Sequence, residues 1–307
     1  MKDNSVLTVA QFIERYRMGS PFDLDNEKAY QAWRDYKLQD YPQTIEEMTV
    51  EVNNPFALTS AEYEAIHKRL VKTNMAIYVT GCGDNADKDI PAKIGERFGL
   101  SELDDNMGAD EGVTSLQVVS SQWRGTYIPY TNKPIHWHTD GYYNAEDRQI
   151  RALMLHCVRP AAKGGEIALL DHEIAYIHLR DTNPEYIHAL MSADVMTIPA
   201  NIVDGRELRP DRTGPVFSVM PDGNLHMRYT ARTRSIVWKD DMITASVRDD
   251  LTAFLASDSP YIYRGTLQSG QGLICNNVLH DRSGFEDEEG NARLLYRLRY
   301  YQRIAST

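Results

Sequence analysis

Apolar residues recur at helical spacing through VLTVAQFIERYR (residues 6–17) and, more weakly, from Asp25 to Lys37. That period belongs to a helix with one buried face. Thr59–Ser60 stands ahead of a third such run. Glu62 and Glu64 fall in its first turn, where carboxylates meet the positive end of the helix dipole. The first 75 or so residues therefore predict a mostly helical flank. MAIYVTG (75–81) is a continuous apolar run and predicts a buried strand, and PAKIGERFG (91–99) predicts a short helix closed by Gly99. From about residue 113 the pattern changes to strands. VTSLQVVSSQW alternates, RALMLHCV (151–158) is apolar throughout, and Lys163-Gly164-Gly165 forms a turn into EIALLD. Two short helices follow, near 173–181 and 184–192. VFSVMPDGNLHMRYT is a hairpin around Asp222-Gly223, and residues 242–256 are helical. The chain then returns to strands through YIYRGTL, a Gly270-Gln271-Gly272 turn, LICNNVL and ARLLYRLRYYQRI. The polar stretch 200–215 predicts a long loop, a candidate lid. Many short strands broken by glycine turns, with helices mainly ahead of them, predict a mainly β fold: a β-sandwich or jelly roll with a helical flank. No linker divides the chain, so residues 1–307 are expected to form one domain, with 1–75 as flank and 76–307 as core.

Composition narrows the function. The 307 residues are 42% hydrophobic, enough for a sizeable core. A net charge of −11 gives no general attraction to nucleic acid or an anionic membrane surface. The N-terminus lacks the basic-then-apolar order of a secretory signal, and no apolar run approaches the ~20 residues that span a bilayer. Cys82, Cys157 and Cys275 are far apart and odd in number, which fits free thiols in a reducing cytoplasm. The expectation is a cytoplasmic protein with a small-molecule partner, no nucleic acid and no membrane, and with room for a homo-oligomer.

The candidate chemistry lies in IHWHTDGYYN (135–144). On an extended strand His138 and Asp140 share one face, and an imidazole with a carboxylate suits a borderline metal such as Fe(II). In a chain with 9 histidines one such triplet proves little by itself. His280 follows the apolar strand LICNNVL and is a candidate third ligand. His226 is a second choice, His136 shares strand parity with His138, and His156 lies inside an apolar strand, where a core role fits better. Tyr143, three residues after Asp140, is a candidate pocket-lining side chain. HMRYTARTRSIVWK (226–239) is basic for this chain, and Arg228, Arg232 and Arg234 could meet an anion or acidic loops. In ARLLYRLRYY, Arg293, Arg297 and Arg299 share one face and Leu294, Tyr296 and Leu298 the other; taken alone, this pattern fits a solvated basic face.

WHTD (137–140), the Gly-Gly turn at 164–165, GQGLICNNVLHDRSGF (270–285) and the pair Arg293 and Arg297 together resemble the taurine dioxygenase (TauD/TfdA) family, over roughly residues 60–303. The resemblance implies a double-stranded β-helix, a jelly-roll variant, and an enzyme that uses Fe(II), 2-oxoglutarate and O2. It implies His138, Asp140 and His280 as metal ligands and catalytic centre. It places Arg293 on the 2-oxoglutarate carboxylate and Arg297 on a substrate anion. A retained carboxylate at Asp140 fits hydroxylation or a variant such as desaturation, and the arginine content with the family's habit points to a small organic acid or amino-acid-like metabolite. Desaturation, epoxidation and C–C cleavage use the same oxidant, and a non-catalytic jelly-roll binder of metal or anion is the rival from another class. One position departs from the pattern: where the family often has a threonine after the Gly-Gly turn, this chain has Ile167, which cannot donate a hydrogen bond.

Overall fold

The computed structural model describes residues 19–104, 109–110, 112–119, 127–232 and 236–307. The predicted helix at 6–17, the end of VTSLQVVSSQW beyond residue 119 and Arg234 lie outside the described residues. Among those described, a seven-stranded sheet runs in the order Thr49–Val52, Met75–Thr80, Gln271–Cys275, Ala152–Arg159, Leu294–Tyr300, Val113–Leu116, Ala109–Asp110. A four-stranded sheet packs across from it in the order Tyr263–Gly265, Ile167–Leu170, Leu279–Arg282, Ile135–His138. The first two strands of the large sheet are parallel and the rest of its pairings are antiparallel. These two sheets form the predicted jelly roll.

Alternation along each strand decides which residues fill the barrel. Leu153, Leu155 and Cys157 join Ile77, Leu273, Cys275 and Leu295 in a core shared with Ile167, Leu169 and Leu279 of the small sheet. Their neighbours Ala152, Met154, Ile274, Tyr296, Leu298 and Tyr300 belong to a second core on the outer face of the large sheet. There they meet Ile66 and Leu70 of the helix Ser60–Thr73, and Ile94 of the helix Asp89–Arg97. The Ser60–Thr73 helix starts as its pattern predicts: Thr59 accepts from the Glu62 amide, and Glu62 reaches back to the Thr59 amide.

Two local expectations change. The mostly helical N-terminal flank also holds an edge strand, Thr49–Val52, beside Met75–Thr80. Residues 200–215 are not a loop: Asn201–Val203 and Arg206–Arg209 form a hairpin, and Arg212–Gly214 pairs with Met196–Ile198. A polar, exposed hairpin has no apolar alternation to reveal it. LICNNVL is not one strand. It breaks at Asn276–Asn277, with Asn277 in the left-handed region at φ 50°, and the chain passes there from the large sheet to the small one.

Candidate active site

His138 ends the strand Ile135–His138 and lies directly across from His280 on Leu279–Arg282. The two rings are 4.2 Å apart between centroids. The register slips between this pair and the next, Arg282 with Ile135, so the Ile135–His138 strand carries an extra residue. This bulge breaks strict parity and leaves His136 exposed while His138 turns inward. Asp140 follows in a tight turn. Gly141 adopts φ 68°, and a Cβ there would come within 2.4 Å of Ile150. The potential ligand atoms of His138, Asp140 and His280 all lie within 4.8 Å of one another. His156 and His226 stand outside this group: His156 pairs with Tyr78, and His226 is buried with its pKa pushed down to about 3, chiefly by burial.

The surroundings orient each donor. His138 Nδ1 lies 2.9 Å from the His136 carbonyl and His280 Nδ1 2.9 Å from the Val278 carbonyl, which assigns the proton to Nδ1 and leaves each Nε2 as a lone pair. Burial lowers the His280 pKa to about 4, so the ring is neutral at pH 7. Asp140 is fully enclosed. Burial alone would raise its pKa, but the charges of Arg297 and Arg299 hold it well below the carboxylate range. Its Oδ2 is buried without a hydrogen-bond partner. Two imidazoles and one carboxylate fit the donor preferences of Fe(II). Asn277 fixes the turn that carries Asp140. Its Oδ1 accepts from the Asp140 amide at 2.8 Å, and its Nδ2 donates to the Asp140 and Ile150 carbonyls at 2.9 and 2.7 Å. Sequence reasoning missed this residue; the Asn-Asn doublet inside an apolar run was the available signal.

The arginine face of Leu294–Tyr300 turns inward, against the reading of that pattern as a solvated basic face. Arg293 and Arg299 are 4% and 3% exposed. Arg293 lines a small pocket with Pro160, Ala161, Gly165, Ile167, Thr266, Leu267 and Leu295, and its Nη1 has no partner. Ile167 does occupy the wall of this pocket. Thr266 joins it from the next strand, immediately after Gly265, which pairs with Ile167. Arg297 Nη1 lies 3.4 Å from Asp140 Oδ2, and its Nε is buried and unpaired. Arg299 forms a salt bridge with Asp104 and donates to the Tyr143 hydroxyl at 2.9 Å. Tyr143 packs edge-on against Tyr142, which in turn meets the His138 ring. Arg228 holds no free donor: its five N–H groups go to the carbonyls of Tyr142, Met196, Arg212, Gly214 and Pro215.

The taurine catabolism dioxygenase TauD, TfdA family matches residues 35–299. The chain belongs to this family. Its members are Fe(II)- and 2-oxoglutarate-dependent dioxygenases that act on small molecules with O2 as oxidant. The chain is 32% identical over 173 residues to a uridine-5'-phosphate dioxygenase of Amycolatopsis sp, a match covering 53% of this chain and 60% of that relative. It is 30% identical over 217 residues to a uridine-5'-phosphate dioxygenase of Streptomyces sp, covering 67% and 76%. The fold is similar to that of AAD-2 in complex with Mn(II) and N-oxalylglycine, with a TM-score of 0.59, 11% identity and coverage of 84% and 96%. Among the described residues, no helix is long and apolar enough to cross a membrane.

Proposed function

We propose that this chain is an Fe(II)- and 2-oxoglutarate-dependent dioxygenase that hydroxylates a small anionic metabolite, of the nucleoside 5'-phosphate class. The convergence of His138, Asp140 and His280 on one point carries the reading. Nε2 of each histidine and a carboxylate oxygen of Asp140 would hold the iron. Bound iron with 2-oxoglutarate and O2 supplies an oxidant strong enough to break a C–H bond, while 2-oxoglutarate becomes succinate and CO2. The protein's part is orientation and charge. Arg293 would take the distal carboxylate of 2-oxoglutarate, because a buried guanidinium with an unused N–H is the natural partner for that group. Thr266 supplies the hydroxyl that Ile167 cannot. Arg297 meets the substrate anion beside Asp140, and Tyr143, its hydroxyl fixed by Arg299, forms an aromatic wall. The family match over 35–299 supports one catalytic domain spanning the chain.

The substrate class rests on the similarity to the two uridine-5'-phosphate dioxygenases and on the arginines around Tyr142 and Tyr143. The test is succinate formation with Fe(II), 2-oxoglutarate and O2 in the presence of uridine 5'-phosphate, other nucleoside 5'-phosphates or uridine. Succinate should form one-to-one with oxidised nucleotide and should rise far less with uridine. No stimulation by any nucleoside 5'-phosphate over the substrate-free rate overturns the substrate class.

A further inference from the structure

The hairpin over residues 201–209 and the strand Arg212–Gly214 carry two guanidiniums that binding of iron and 2-oxoglutarate does not use. Arg209 lies 5.9 Å from the centre of the Tyr143 ring, and its terminal nitrogens donate to the Pro210 and Pro199 carbonyls at 2.8 and 2.7 Å. Arg212 makes a 3.4 Å contact to the Asp211 carbonyl, and its Nε is buried without a partner. Among the described residues neither forms a salt bridge with an acid. Burial, and then the charge of Arg212, lower the basicity of Arg209. Like charges held together in partial burial are unfavourable until an anion joins them.

The base under these arginines is fixed. Arg228, 7% exposed, ties the carbonyls of Met196, Arg212, Gly214 and Pro215 to that of Tyr142, two residues after Asp140. The root of the hairpin is therefore anchored to the turn that carries the candidate metal ligand. Arg232 reaches the same place from another strand end, with Nη1 3.3 Å from the Tyr142 hydroxyl.

Charge arithmetic gives these groups a task. A phosphate monoester carries roughly −1.5 to −2 at pH 7. Arg297 already shares its charge with Asp140, and Arg299 is paired with Asp104. A dianion at this mouth needs further cations, whereas a monocarboxylate or sulfonate does not.

We infer that Arg209 and Arg212 form an anion grip that, with Arg297, selects a phosphate monoester dianion over singly charged substrates. This rests on the anionic-substrate reading above and adds a second contact that the resemblance to taurine dioxygenases does not supply. The experiment is anaerobic calorimetry on protein loaded with Fe(II) and 2-oxoglutarate, with uridine 5'-phosphate, uridine and inorganic phosphate as probes. In the Arg209→Gln/Arg212→Gln protein, uridine 5'-phosphate should bind about 30-fold more weakly or worse, with uridine and 2-oxoglutarate unchanged. Unchanged 2-oxoglutarate affinity also establishes that the variant is folded. Arg209→Lys/Arg212→Lys should recover part of the loss, since it restores charge without the paired donors. If the double glutamine variant binds uridine 5'-phosphate like the wild type while Arg297→Ala does not, the grip is wrong and the substrate reading stands. If wild-type protein binds 2-oxoglutarate but neither uridine 5'-phosphate nor inorganic phosphate, both fall.

Discussion

Replacing Arg293 by alanine separates cosubstrate binding from every other role of the pocket. Arg293 is 4% exposed, Nη1 is unpartnered, and it is the cation among the residues lining its pocket. Its main-chain N–H, not its guanidinium, donates to Asp287. A carboxylate in that pocket would accept hydrogen bonds from a charged donor, each contributing roughly 1.5–3 kcal/mol. Two such bonds that are not fully additive give about 3 kcal/mol, and at 1.4 kcal/mol per decade the loss is about 100-fold in 2-oxoglutarate affinity. Stability should move the other way or hardly at all. Burial depresses the basicity of Arg293, so the unliganded protein bears the cost of a buried cation that alanine removes. The assay is anaerobic titration with Fe(II) and 2-oxoglutarate, following the visible charge-transfer band of the chelate, beside a urea denaturation of each unliganded protein. A 2-oxoglutarate affinity within about threefold of wild type, in a variant of equal stability, would refute the reasoning.

Asp140→Ala should abolish iron-dependent turnover; retained turnover removes Asp140 from the metal site. Thr266→Val should weaken 2-oxoglutarate binding about tenfold, in the range of one lost hydrogen bond to a charged group, while Thr266→Ser preserves it; equal affinity in the valine protein sinks the substitution of Thr266 for the missing threonine. Far from the site, Lys37 is buried between Asp171 and Glu173 at 2.7 and 2.5 Å, so Lys37→Met strands two carboxylates and should cost about 3–5 kcal/mol in urea unfolding. Burial raises the Glu173 pKa, but the charge and hydrogen bond of Lys37, together with the charges of His172 and Arg303, outweigh it and leave the value at about 2, against an ordinary 4.5. The resulting stability is complete above pH 4.5 and is lost as pH falls toward 2. Lys37→Met should flatten that acid limb, and an unaltered slope would show that the pair is not its source.

The large sheet was legible because its strands are buried on both faces and flanked by glycine turns, as in MAIYVTG and RALMLHCV. The helix at Ser60–Thr73 was legible from Thr59–Ser60 as a cap and from the carboxylates of Glu62 and Glu64 in its first turn; the reciprocal capping box emerged in the structure. The terminal arginines show the limit: alternation correctly placed Arg293 and Arg297 opposite Leu294 and Leu298, but which face is inside depends on the sheet across the barrel. His136 and His138 were indistinguishable by parity, since only the bulge separates them. Thr266 was not legible because it enters the Arg293 pocket from the opposite sheet, and Asn277 was signalled only by the Asn-Asn doublet, its partner Asp140 being distant in sequence. The 200–215 hairpin carries no apolar pattern and is anchored by Arg228, whose basic neighbourhood suggested ligand binding. Counting its five carbonyl partners requires coordinates.

The central claim is that three side chains from two strand ends share one iron. Crystals grown anaerobically with Fe(II) and 2-oxoglutarate, with anomalous scattering recorded at the iron edge, test it most directly. The account predicts one strong peak about 2 Å from Nε2 of His138, Nε2 of His280 and a carboxylate oxygen of Asp140. Iron elsewhere in the molecule, or held by fewer than these three groups, would contradict it.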